Sequence, residues 1–164
     1  MNGKGVKIFP DNSEYSGDFV DGVFQGHGKF KWSDGTIYDG KWVGNKINGE
    51  GTKYLNNGCI IHGNFVSKDY ATGKGYKKWV ICEQEYIFKG NLINSEIGDE
   101  GEFTWPNGKT YTGSFKGCEM NGNGTLVWID KNYGKNVYKG NFNNNKFEVF
   151  IYKGKRHASI WEWR

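Results

Sequence analysis

Three histidines and three cysteines are the side chains best equipped for metal binding or nucleophilic chemistry in this 164-residue chain. Their spacing supports neither. Metal sites draw ligands from close pairs such as Cys-x-x-Cys, whereas His27, His62 and His157 lie far apart and Cys59, Cys82 and Cys118 share no pattern with them. A Cys–His nucleophile pair has no support for the same reason. The glycine-rich stretches do not precede helices, so they are strand and turn glycines and not phosphate cradles. The expectation is no catalytic residue, no metal and no cofactor.

Charge excludes another class. A net charge of +4 with almost no arginine is far from the basic bias of a nucleic-acid binder. The stretch from Lys131 to Arg156 is locally basic, and Lys153, Lys155 and Arg156 are the candidates for contact with an anionic membrane surface. No N-terminal apolar run resembles a signal peptide, and no stretch approaches the ~20 apolar residues of a membrane span. With an odd number of scattered cysteines, this reading places the chain in the cytoplasm, peripheral at a membrane or the cytoskeleton at most.

What the sequence does contain is repetition. Tyr15-Ser16-Gly17-Asp18-Phe19 returns at Tyr38, Ile61, Phe88, Tyr111 and Tyr138, with spacings of 23, 23, 27, 23 and 27 residues. A period in this range marks an array of stacked units. Apolar residues and glycines alternate with polar ones within each phrase, which is strand periodicity. A second alternating phrase follows, Gly26-His27-Gly28-Lys29-Phe30-Lys31-Trp32 in the first full unit, so each unit reads as a β-hairpin. Asp34-Gly35, Asn57-Gly58 and Asn107-Gly108 mark tight turns that accept positive φ. Glycine normally weakens a strand interior, and here its place is explained by a neighbouring ring lying flat on bare backbone. The 27-residue periods, around Val80–Glu85 and Ile129–Asn136, predict longer strands or protruding loops.

The resulting fold is all-β: an elongated, twisted, single-layer antiparallel meander of about six hairpins. Residues 1–145 form the array, which begins on the second strand of a unit, and residues 146–164 form a divergent capping segment. With 17% aromatic residues and 36% hydrophobic residues overall, buried area must come mainly from rings. A single layer leaves part of its aromatic face open. The candidate partner-binding groove comprises Tyr15, Phe19, Phe30, Trp32, Tyr38, Trp42, Trp105, Tyr111, Phe115 and Trp128.

The phased phrases, best matched at Gly101-Glu102-Phe103-Thr104-Trp105-Pro106-Asn107-Gly108-Lys109-Thr110-Tyr111-Thr112-Gly113-Ser114-Phe115, closely resemble the MORN (membrane occupation and recognition nexus) repeat family. The chain departs from that pattern at Lys7, Lys53 and Lys77, where other units carry Phe30, Phe103 and Leu126, and at Asp99, Ile61 and Phe88. The resemblance implies a non-catalytic interaction platform, with helical peptides bound along the groove in some relatives and end-to-end dimers in others. The leading expectation is therefore a scaffold binding a protein partner, an amphipathic helix among the options, along the aromatic groove. The alternatives are a peripheral adaptor on anionic lipid, a regulatory partner of an enzyme, and a homodimer through an array end.

Overall fold

The computed structural model describes residues 2–147. Twelve strands pair antiparallel in strict chain order, forming one open sheet. They are β1 (Gly3–Ile8), β2 (Glu14–Val20), β3 (Val23–Lys31), β4 (Ile37–Val43), β5 (Lys46–Tyr54), β6 (Ile60–Phe65), β7 (Ala71–Ile81), β8 (Gln84–Ile93), β9 (Glu96–Thr104), β10 (Thr110–Lys116), β11 (Glu119–Asp130) and β12 (Gly134–Phe142). The expected all-β meander of hairpins is what the chain builds.

Two turn chemistries alternate along the sheet. Asp21-Gly22 (φ 50° and 80°), Gly44-Asn45 and Gly117-Cys118 are two-residue turns with both residues at positive φ, the geometry whose twist matches a hairpin. On the opposite edge the Asp-Gly and Asn-Gly pairs divide the labour. Gly35 takes φ 87°, whereas the Asp34 backbone stays outside that region and its carboxylate accepts the Thr36 N–H at 2.8 Å. Asn57 and Asn107 cap Cys59 and Lys109 in the same way. Only the glycine needs left-handed backbone; its partner is chosen for its side-chain oxygen.

The two long periods extend strands instead of making loops. β7 and β8 meet through the two residues Cys82 and Glu83, and β11 and β12 through Lys131–Tyr133. The departure at Asp99 is accommodated without positive φ, and its carboxylate accepts the Asn91 amide at 2.9 Å.

A ladder of glycines crosses the sheet, one per strand. Gly5 faces Gly17, Gly17 faces Gly28, Gly28 faces Gly40, Gly40 faces Gly51 and Gly51 faces Gly63. After a register shift the row resumes at Gly75 and Gly90 and runs on through Gly101, Gly113 and Gly124 to Gly140. The leading aromatic of each unit lies on this bare track. A Cβ on Gly28 would sit 2.3 Å from the Tyr15 hydroxyl, and one on Gly124 would sit 2.3 Å from a Tyr111 ring carbon. Tyr38 covers Gly51 and Phe88 covers Gly101 likewise. Ile61 is β-branched and does not lie flat; Leu92 supplies a δ-methyl over Gly63 and Gly75 instead.

The tyrosine hydroxyl has a second role. The first strands β2, β4, β8 and β10 carry a bulge after their glycine, as between Gly113 and Phe115. The bulged residue's carbonyl leaves the regular ladder, and the tyrosine three residues earlier donates to it: Tyr15 to Asp18 at 3.0 Å, Tyr111 to Ser114 at 2.9 Å. We expect Tyr111→Phe to cost about 1–2 kcal/mol, the penalty for leaving one half-buried carbonyl unpaired, while Phe88 shows that a phenyl ring itself is accepted on the glycines. Urea denaturation of the two proteins measures the difference.

Successive units are also stapled at one edge. Asn45 donates its N–H to the Phe24 carbonyl at 3.1 Å and accepts the Phe24 N–H through its side-chain oxygen at 2.7 Å. Ser95 with Ala71 and Asn145 with Met120 repeat this exchange. Cys118 holds the corresponding turn position, where its thiol is a much weaker acceptor.

Candidate partner-binding groove

The cross-strand register places one long row of side chains beside the glycine ladder. It runs Lys7, Tyr15, Phe30, Tyr38, Lys53 and Ile61, and continues through Lys77, Phe88, Phe103, Tyr111, Leu126 and Tyr138. Within this row the leading residues from β2, β4, β6, β8 and β10 are sunk in the core. Tyr15, Tyr38 and Tyr111 have no exposed surface, and Phe19, Trp42 and Phe115 are nearly as deep. Trp42 is fixed further by its indole N–H, which donates to the Gly28 carbonyl at 2.9 Å. These six rings are occupied mainly by intramolecular packing, and among them Trp42 reaches the wall of a cleft.

Phe30, Trp32, Trp105 and Trp128, the other members of the expected set, are partly exposed and packed on the core. Phe30 stands in the first row, and the three tryptophans belong to a second row at the end of each repeat's second strand: Phe9, Trp32, Leu55, Trp79, Trp105 and Trp128. Both rows wall a groove along the sheet. Its N-terminal part is a cleft of about 450 Å³ between Phe24, Phe30, Trp32, Trp42, Ile47 and Val66. Its central part is wider, about 870 Å³, floored by Cys59 and Ile61 and walled by Leu55, Trp79, Ile97 and Phe103.

Lysines enter this groove where the sequence departs from the aromatic pattern. Lys53 lies across it, its ammonium donating to the Lys68 carbonyl at 2.7 Å, 3.8 Å from Asp69 and 5.5 Å from the Trp32 ring centre. Burial pulls its pKa below the usual lysine value, and Asp69 opposes that shift. Lys77 pairs with Glu96 and stands 5.9 Å from the Trp79 ring. Lys7 covers Phe9 at 5.0 Å. The departures at Lys7, Lys53 and Lys77 were legible in the sequence; the carboxylates that meet Lys53 and Lys77 were not.

Lys109, within the best-matched phrase, is not among the expected site residues. It follows the Asn107-Gly108 turn, where other units carry Ser13, Thr36 and Cys59, and that run of small buried residues was the available signal. Its buried ammonium lies 3.9 Å over the Trp105 ring, a cation–π contact. Burial pushes its pKa down to about 8. Between pH 8 and about 10 the unfolded chain therefore holds a proton at this site that the folded chain has released. Linkage then makes stability rise with pH across that window. Cys59, whose thiol is pushed up by burial, and Tyr38, pushed up to about 12, act in the opposite direction at its upper end. We expect the stability difference between the native chain and Lys109→Met to shift in favour of the native chain as pH goes from 7 to 10, read by chemical denaturation at each pH.

The opposite face of the sheet has a different character. Lys4 pairs with Asp18 at 3.0 Å and Lys29 with Asp39 at 3.1 Å; His27 lies 3.5 Å from Asp39, and His62 3.5 Å from Glu50. The charges alternate in sign. Among the described residues no group of three or more His, Cys, Asp or Glu is arranged to hold a metal ion, and Cys59, Cys82 and Cys118 are unpaired. Lys153, Lys155 and Arg156, together with most of the expected capping segment, lie outside the described residues. Phe147, at its start, is buried against Trp128, Tyr138 and Phe142.

An open hairpin array with one face packed on glycine and a groove along that face defines a β-repeat protein of the interaction-module class. A MORN repeat model matches residues 1–14, 15–37, 38–60, 100–110 and 111–133, more than half of the chain, and the chain belongs to the MORN repeat family. Repeats of this family are generally non-catalytic modules for interaction with proteins or membranes. The matched segments omit residues 61–99, the stretch led by Ile61 and Phe88, yet β6–β9 keep the antiparallel chain order there. No curated protein matches the chain.

Proposed function

We propose that this protein is a non-enzymatic scaffold that holds a segment of a partner protein along the aromatic groove. The observation that carries the reading is the division of labour among its rings. The fold consumes Tyr15, Tyr38, Tyr111 and their neighbours, while Trp32 and Trp79 each line a cleft on that face and Trp105 and Trp128 stay only partly buried further along it. Exposed apolar strips of this kind mark interaction sites, and partly buried tryptophans are the usual energetic anchors of such interfaces.

The test compares two double variants. Trp32→Ser with Trp105→Ser should abolish recovery of the natural partner from native cells while leaving the folded spectrum intact. Val6→Ser with Ile129→Ser removes exposed apolar surface outside the groove and should leave recovery unchanged. Equal recovery by the two would contradict the groove as the docking site.

A further inference from the structure

We propose that the segment held by the groove is an acidic amphipathic helix, with carboxylates seven residues apart that meet Lys53 and Lys77. The proposal rests on the groove reading above and names its partner's chemistry. Two observations carry it.

The first is an asymmetry within the ion pairs of the central cleft. The side chains of Lys53 and Lys77 are only 12% and 16% exposed, whereas their partners Asp69 and Glu96 are 54% and 63% exposed. The ammonium groups are thus the inward members, and the carboxylates stand at the mouth. Solvated carboxylates hold little net energy in such a pair, so an incoming carboxylate can displace them without stranding a buried acid. Asp69, at 3.8 Å, is already a loose partner.

The second is spacing. Lys53 on β5 and Lys77 on β7 flank Ile61 on β6 in the register. Two strand spacings separate them, about 10 Å. A helix lying along the groove rises about 10.5 Å in seven residues. The same step recurs in the wall, because Trp32, Leu55, Trp79 and Trp105 end alternate strands. A helix with apolar residues in heptad phase would meet this wall with one layer per repeat, and acids at the same interval would meet the lysines. A flat bilayer fits less well: the cleft lysines are recessed, and the outer face alternates Lys4 with Asp18 and Lys29 with Asp39.

Fluorescence anisotropy with labelled 21-residue helical peptides tests this on the full chain. One peptide carries glutamates seven residues apart beside its apolar stripe, a second carries lysines there, and a third has the composition of the first with the glutamates five apart. The first should bind at least tenfold tighter than either other peptide, and its advantage should shrink with added salt and in Lys53→Gln and Lys77→Gln. Equal binding of the acidic and basic peptides would overturn the acidic partner and leave the groove standing. Failure of the first peptide to bind would also overturn the proposal, and the Trp32 and Trp105 variants would then decide separately whether the groove falls with it. Vesicles of phosphatidylcholine and phosphatidylserine provide the remaining arm. Binding to them that the first peptide does not compete for would assign the lysines to lipid and overturn the proposal. The peptide comparison uses the native chain, so it does not depend on how well the lysine variants fold.

Discussion

Gly51→Ala should destabilise the protein by about 3 kcal/mol or more, at the upper end of overpacking costs, while Gly63→Ala should change stability by less than about 1 kcal/mol. The two glycines face each other across β5 and β6, and each sits between polar neighbours in its strand. Their surroundings differ. A methyl group on Gly51 would lie 2.4 Å from the Tyr38 hydroxyl and 2.6 Å from the ring carbon bearing it. Tyr38 has nowhere to go: it is fully buried, with Trp42 and Phe65 rings at 5.7 and 5.2 Å. At Gly63 the nearest atoms are the Ala71 β-carbon and a Leu92 δ-carbon, both at 3.4 Å, an ordinary contact, and the backbone is not in the left-handed region. The relief of unfolded-chain entropy on replacing glycine, about 0.4–1 kcal/mol, then offsets much of the remaining cost. Equal losses at the two sites would mean that the glycines serve backbone conformation and not ring packing.

The second large effect separates two tryptophans that the sequence treats alike. Trp42→Ser should cost about 3–5 kcal/mol, as expected for a buried large aromatic, and Trp32→Ser about 1 kcal/mol or less. Trp42 meets Tyr15, Phe24, Phe30 and Tyr38 rings at 5.3–5.9 Å and loses a hydrogen bond to Gly28 on substitution. Trp32 has one close ring, Phe30 at 4.8 Å, and retains exposed surface. Thermal denaturation of the single variants distinguishes them. The contrast has a practical consequence: a Trp42 variant that loses a partner reports damage to the fold, whereas a Trp32 variant reports the groove.

Much of the fold was legible because the repeat writes it many times over. Alternation of glycine and aromatic residues marked the strands, and Asp34-Gly35 and its counterparts marked the turns. Even the long periods followed the pattern once β7, β8, β11 and β12 were allowed to lengthen. The groove was less legible, for a physical reason. Trp42 and Trp32 are the same residue type on the same face, and only packing distance decides which of them is core. Leu92 over Gly63 could not be read either, because the covering group comes from two strands away after Ile61 fails to serve. The cross-groove pairs of Lys53 and Lys77 depend on the path of the loop carrying Asp69 and on where β9 begins. Neither is encoded in the local phrase around the lysine.

The claim that partner contact falls on the partly exposed tryptophans and spares the buried rings is tested most directly by the indole N–H resonances of the native chain during titration with the acidic heptad peptide. Those of Trp32, Trp79 and Trp105 should move in step with saturation, and that of Trp42, bonded to the Gly28 carbonyl, should stay in place. Saturable binding with those three indoles unmoved, and shifts confined to outer-face positions such as His27, Lys41 and Thr52, would contradict it.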